Sequence, residues 1–136
     1  MKTNLLIDTN VLIYTLNKDS VYHQVADDLL LNPNYNLFVT TKNISEFFAV
    51  ASKLKIALSS CLSFYAEVKL NFTILFPSIT SLLIFEKLVQ QYQPKGNLVF
   101  DLEIVSIMLD NGIDQIATFN QKDFVNIKEV HVLELP

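Results

Sequence analysis

The chain has no arginine and no tryptophan, and only one cysteine and two glycines among its 136 residues. A lone Cys61 excludes an intrachain disulfide and any cysteine-based zinc site, and reads as a small buried apolar side chain. His23 and His131 stand apart, with no second ligand at helical spacing. A zinc pair of the His-x-x-x-His kind is therefore excluded; His23 reads as a boundary residue and His131 as part of a strand. All ten basic residues are lysine and the net charge is −4. Without arginine the chain lacks the bidentate fork that holds phosphate and guanine most tightly, so a large basic patch gripping nucleic acid unaided is excluded. A transient encounter with RNA or DNA then needs a metal to neutralise the site. Apolar runs are too short for a membrane helix, and Asp8 interrupts the first of them before it can act as a signal peptide. A soluble, cytoplasmic protein with no membrane partner is expected. Repeats and low-complexity tracts are also absent, and the clearest loop, Gln93 to Asn97, is too short for a linker. What remains is 51% hydrophobic residues with ten Phe and five Tyr, enough for one substantial core in a single domain, 1–136.

The pattern alternates short apolar strands with helical stretches. Asn4 to Ile7 reads as a buried strand, and Val11 to Leu16 as the helix after it. Asp19-Ser20 offers a cap for a helix carrying Val21, Val25, Leu29 and Leu30, ended at Asn32-Pro33. Leu37 to Thr40 is a second strand, followed by a helix from about Lys42 to Leu54. Ser59-Ser60 caps a helix to about Asn71, and Phe72 to Phe76 is a third strand, ended by Pro77. Ile79 to Gln93 is helical; Asp101 opens an almost wholly apolar helix that Asn111-Gly112 closes. Ile113 to Thr118 leads through a fourth strand, Phe119 to Phe124 is a polar turn, and Val130 to Leu133 is a last strand. Strand–helix alternation throughout predicts an α/β fold, a three-layer α/β/α sandwich around a parallel sheet.

Four polar positions fall where such strands meet their helices: Asp8, Glu46, Asp101 and Asn120 with Asp123. Each has a bland explanation. Asp8, Thr9 or Asn10 can cap the first helix, and Asn43-Ile44-Ser45-Glu46 has capping-box spacing. Asp101 can cap its own helix and Asp123 its own turn. Together they are harder to dismiss, because strand ends and helix starts share one edge of a parallel sheet, where ligands of open α/β folds bind. Crowded carboxylates repel unless a cation holds them, and oxygen-only ligands suit Mg²⁺ or Mn²⁺ rather than zinc.

Leu6-Ile7-Asp8-Thr9-Asn10-Val11-Leu12, Asn43-Ile44-Ser45-Glu46-Phe47, Phe100-Asp101 before an apolar helix, and Ala117-Thr118-Phe119-Asn120-Gln121-Lys122-Asp123-Phe124 together resemble the PIN-domain family. The likeness is to its small single-domain members, the VapC toxins of toxin–antitoxin pairs, and it spans nearly the whole chain in order and spacing. The resemblance implies sheet order 3-2-1-4-5 and a Mg²⁺- or Mn²⁺-dependent ribonuclease acting on RNA. It places Asp8, Asp101 and Glu46 on the metal-binding acids and Asn120 at the fourth catalytic position, where many members carry an acid. Thr9, Asn10, Thr118 and Asp123 would then support the ligands from behind. Asn120 brings no charge, and Asp123 either compensates or caps its turn. Lys42, Lys95 and Lys122 are candidates for flanking phosphates.

The resemblance also implies an antitoxin partner and a homodimer, for which Phe47, Phe48, Phe64, Tyr65 and Phe85 offer aromatic surface. A haloacid dehalogenase-type phosphatase needs Asp-x-Asp where this chain has Asp8-Thr9-Asn10, and a receiver domain needs an acid where it has Phe76-Pro77. The alternative from another class is a non-catalytic PIN-like RNA-binding or scaffold module. Relief of charge repulsion predicts that Asp8→Asn leaves the fold intact or slightly more stable.

Overall fold

A computed structural model describes all residues, 1–136. Five parallel strands form one sheet in the order β3-β2-β1-β4-β5, as expected. They are β1 (Thr3–Ile7), β2 (Tyr35–Thr40), β3 (Thr73–Leu75), β4 (Gln115–Ala117) and β5 (His131–Val132). Central β1 carries Leu5, Leu6 and Ile7, all fully buried, the continuous apolar run of a strand covered on both faces. Leu5 and Ile7 pack with Leu37 and Val39 against α1 (Thr9–Leu16), α2 (His23–Leu31), α3 (Thr41–Lys53) and α4 (Leu58–Asn71). Leu6 and Ile116 point the other way, into α5 (Ile79–Tyr92) and α6 (Leu98–Asp110). Each such buried side chain contributes about 2 kcal/mol of transfer free energy.

α6 justifies its reading as the central helix: Leu102, Ile104, Val105, Ile107 and Met108 are all buried. Gly112, at φ +73°, closes it in the left-handed conformation that favours glycine. Cys61 is buried, and no helix is long and apolar enough to cross a membrane.

Several helix starts differ from the sequence pattern. α2 begins at His23, with the Ser20 hydroxyl accepting from Tyr22 N–H at 3.1 Å instead of capping the helix. α4 begins at Leu58 with no side-chain cap, so Ser59-Ser60 lie inside it. α6 begins at Leu98, which puts Asp101 within its first turn rather than at its cap. β3 is shorter than expected, leaving Phe76 exposed. The aromatic set taken as surface is mostly interior: Phe47 is core, with Phe48 and Phe64 packed on it, and Phe85 packs on the opposite face of the sheet.

The carboxyl ends of β1, β2 and β4 run directly into Asp8, Thr41 and Thr118. α6 leads into the start of β4, so its own first turn lies at that same edge. All four polar segments therefore meet at one end of the sheet.

Candidate active site

Asp8 lies between β1 and α1 and is only 6% exposed. Its Oδ1 accepts from Thr9 N–H at 2.8 Å, so the capping role is real. Its Oδ2 does more, accepting from the Thr118 hydroxyl at 2.8 Å and from Asn10 Nδ2 at 3.2 Å. Asn10 Nδ2 also donates to Thr118 Oγ1 at 3.0 Å, and Asn10 Oδ1 accepts from Phe119 N–H at 3.0 Å. Thr118 Oγ1 further accepts from Asn120 N–H at 3.0 Å. This network ties the end of β1 to the segment after β4 and fixes the Asp8 carboxylate.

A second network fixes Glu46. The capping box of α3 joins Thr40 and Asn43, not Asn43 and Glu46. Asn43 Oδ1 accepts from Thr40 N–H at 3.0 Å and from the Thr40 hydroxyl at 2.8 Å, and Asn43 N–H donates back to Thr40 Oγ1 at 3.2 Å. Asn43 Nδ2 donates to Thr9 Oγ1 at 3.2 Å, and the Thr9 hydroxyl donates to Glu46 Oε2 at 3.3 Å. Glu46 is thus free of helix capping and held from α1. The buried Thr40 and Asn43 are supports that the sequence reading missed; their signal is the Thr-x-x-Asn spacing at the end of β2. Asn43→Ala should cost about 1–2 kcal/mol, since it removes a cap and strands buried groups of Thr9 and Thr40. Urea unfolding reads this as a lower midpoint with an unchanged slope.

Asp101 is half-buried in the first turn of α6, and its carboxylate accepts no hydrogen bond from the chain. Burial, then the carboxylates of Asp8, Asp123 and Glu46, push its pKa up to about 7. Glu46 is also raised, first by burial and then by Asp8, against the opposing charge of Lys42 and the Thr9 bond. Asp8 is raised chiefly by burial, with Asp123 adding to it, while Thr118, Thr9 and Asn10 stabilise the anion. Asp123 makes no side-chain hydrogen bond in its turn, so it acts through its charge on Asp8 and Asp101 and not as a cap. Lys42 lies with its Nζ 4.2 Å from the Phe100 ring centroid, beside the site. His23 is structural, its Nδ1 3.0 Å from the Tyr14 carbonyl oxygen.

Asp8, Glu46, Asp101 and Asn120 line a single crevice of about 440 Å³, together with Thr9, Asn10 and Tyr14. A larger cleft of about 620 Å³ lies at the opposite, amino ends of β1 to β3, lined by Lys2, Asn36 and Thr73 among others, and shares none of these acids. The donors fit a hard divalent cation by chemistry: they are oxygens, and their mutual repulsion is what a cation relieves. No three acids are already drawn into a closed ligand set. Asp101, unbonded and half-exposed, is the one left uncompensated by hydrogen bonds.

Comparison with known proteins agrees with this fold. The PIN domain family model matches residues 5–130. No curated protein matches the chain by sequence. Among solved structures, VapBC-1 from nontypeable Haemophilus influenzae contains a similar chain, with 20% identity, TM-score 0.72, and coverage of 97% of this chain and 98% of that one. VapBC2 from Rickettsia felis, bound to a promoter DNA fragment, gives 20% identity and TM-score 0.74 over 98% of this chain and all of that one. VapC20 from Mycobacterium tuberculosis, a toxin that cleaves the sarcin-ricin loop, gives 14% identity and TM-score 0.71 over 93% and 98%. With a match running from the first strand through the fourth and on to residue 130, and with three acids on the carboxyl edge of a 3-2-1-4-5 sheet, the chain belongs to the PIN domain family.

Proposed function

We propose that the chain is a Mg²⁺- or Mn²⁺-dependent endoribonuclease, the toxin of a toxin–antitoxin pair, working in the cytoplasm. The observation that carries this is the crevice lined by Asp8, Glu46 and Asp101, with Asp101 raised to about 7 by burial and then by its neighbouring carboxylates. Asp8 and Asp101 would hold the ion, with Glu46 beside them. When bound, a divalent ion lowers the pKa of its water and polarises a phosphate oxygen. Glu46, its pKa raised by burial and then by Asp8 and its carboxylate oriented by the Thr9 hydroxyl, accepts the proton of the attacking water. Asn10 and Thr118 keep Asp8 aimed at the crevice, and Asn120 lines it without adding charge.

The test is cleavage of a mixed RNA pool with Mn²⁺ and with EDTA. Metal-dependent fragments support the reading, and intact RNA in both overturns it. Asn120, which removes a charge from the site, and the absence of arginine are the features that favour a non-catalytic module. Asn120→Asp should tighten Mn²⁺ binding about tenfold or more, read by calorimetry, if residue 120 reaches the ion.

An antitoxin and a second copy of the chain complete the proposal. Phe76, Ile79, Leu82 and Leu83 expose apolar surface that such contacts would cover. Light scattering of the chain, alone and coexpressed with the neighbouring reading frame, decides both.

A further inference from the structure

The crevice does not end at the acids. It continues between α1 and α3, two helices that both start at the site, and its lining follows one stripe of each. From α1 and its C-cap come Asn10, Ile13, Tyr14 and Asn17; from α3 and its C-cap come Glu46, Val50 and Leu54. Steps of three and four residues put each set on a single helix face. From Glu46 to Leu54 the arm runs about 12 Å along the helix axis. Beyond Glu46 no charged side chain lines it, and its polar group is the Asn17 amide beside the Tyr14 ring.

Val50 and Leu54 are 37% and 54% exposed, apolar side chains that the core leaves at the rim. Leu54 is held there by the end of its helix. Its N–H donates to the Val50 carbonyl at 3.0 Å, Lys55 turns into the left-handed conformation at φ +61°, and Ile56 N–H returns to the Ala51 carbonyl at 3.0 Å. Ile56 then packs on the core while Leu54 stays outside. Asn17 is fixed as firmly. Its N–H donates to the Ile13 carbonyl and its own carbonyl accepts from Ser20 N–H, both at 3.1 Å, which leaves the side-chain amide to the crevice. The Asn10 amide, by contrast, is spent at the acid end on Asp8, Thr118 and Phe119.

A phosphate has no place on this arm, since no cation lines it. A neutral, flat group with a hydrogen-bonding edge does, and a nucleotide whose phosphate lies at the acids brings one, its base. Apolar walls with a few placed polar groups make up small-ligand sites, and about 440 Å³ for the whole crevice is within their size range. We propose that the arm between α1 and α3 is a nucleobase pocket, in which Ile13, Tyr14, Val50 and Leu54 enclose the base and Asn17 reads its edge. It rests on the ribonuclease reading and adds a base preference to it. An amide presents one acceptor and one donor side by side, which match the amino group and ring nitrogen of adenine in two bonds. Adenine is therefore the base selected at one position beside the cut.

The experiment is cleavage with Mn²⁺ of a short RNA of randomised sequence, with the fragment ends sequenced. The wild type should favour adenine about tenfold at one fixed position beside the cut. Asn17→Ala should flatten the profile at that position alone. Asn17→Asp keeps an acceptor but loses the donor to the ring nitrogen. It should erase the advantage of adenine over cytosine, whose amino group a carboxylate also accepts. Leu54→Ala should raise KM about fivefold on every strand and leave the preference in place. Leu70→Ala, an exposed apolar residue that lines no part of the crevice, should change neither. Circular dichroism checks each variant for folding, and a merely structural Asn17 would lower cleavage of all sequences alike. A wild-type profile without the adenine preference, or the same preference in folded Asn17→Ala, overturns the pocket while the ribonuclease reading stands. The arm would then belong to a side chain of a protein partner. RNA left uncut by the wild-type protein overturns the ribonuclease reading itself, and the pocket with it.

Discussion

Asp101→Asn should lower kcat/KM for RNA cleavage about a thousandfold, the several kcal/mol that a lost metal ligand withdraws from the transition state. In metal-free buffer near neutral pH the same variant should be more stable than the wild type. The reason is that Asp101 has no hydrogen-bond donor to lose and three carboxylates to escape. Its pKa is about 7 in the folded chain against an ordinary 3.8. Between those values the folded state binds more protons than the unfolded state, so stability falls as pH rises. The contribution is complete below the lower value and lost as pH climbs to the upper one. For a half-exposed group the loss is about 1–2 kcal/mol after screening by solvent. Melting curves of the wild type should therefore drop from pH 4 to pH 7.5, and those of Asp101→Asn should be flatter. Mn²⁺ should raise the wild-type curve at pH 7.5, because an ion that binds only the folded state stabilises it by mass action. It should raise the variant's far less.

Asp8→Asn should lose cleavage to a similar degree but move stability the other way, weakening the fold by about 1–3 kcal/mol. Charge repulsion alone suggests a neutral or stabilising change, and the hydrogen bonds reverse the sign. Both oxygens of Asp8 are used, by Thr9 N–H on one and by Thr118 and Asn10 on the other. An asparagine replaces one acceptor with an amide that faces donors. Thr118 has no easy answer, since its oxygen already accepts from Asn10 and Asn120. Urea unfolding at pH 7.5 without metal compares the two variants directly. Shifts of the same sign would contradict the assignment of Asp8 as the hydrogen-bonded acid and Asp101 as the frustrated one.

The fold and the acids were legible because they depend on patterns that are local in the chain. Leu5, Leu6 and Ile7 are an unbroken apolar run, which only a strand covered on both faces requires, and Asp8 follows them at once. The sheet order was legible through resemblance to a family and not through the residues themselves. Helix starts were less legible, because α2, α4 and α6 begin without a side-chain cap and are placed by packing of their apolar faces. The capping alternative for Glu46 does not hold, for a related reason. The capping box exists, but three residues earlier, with Asn43 as its inner member, and only the fold brings Asn43 Nδ2 to Thr9. Phe47 looked like surplus surface because a linear count of aromatics does not reveal that Phe64, on the next helix, covers it.

The central claim is that one divalent ion, held by Asp8 and Asp101, makes this crevice a ribonuclease. Its most direct test is RNA cleavage alongside Mn²⁺ calorimetry on the wild type and on the folded Asp8→Asn/Asp101→Asn double variant. The wild type should bind Mn²⁺ and cut RNA only with metal present, while the double variant should show neither heat of binding nor fragments. A folded double variant that cleaves RNA at the wild-type rate would contradict the mechanism.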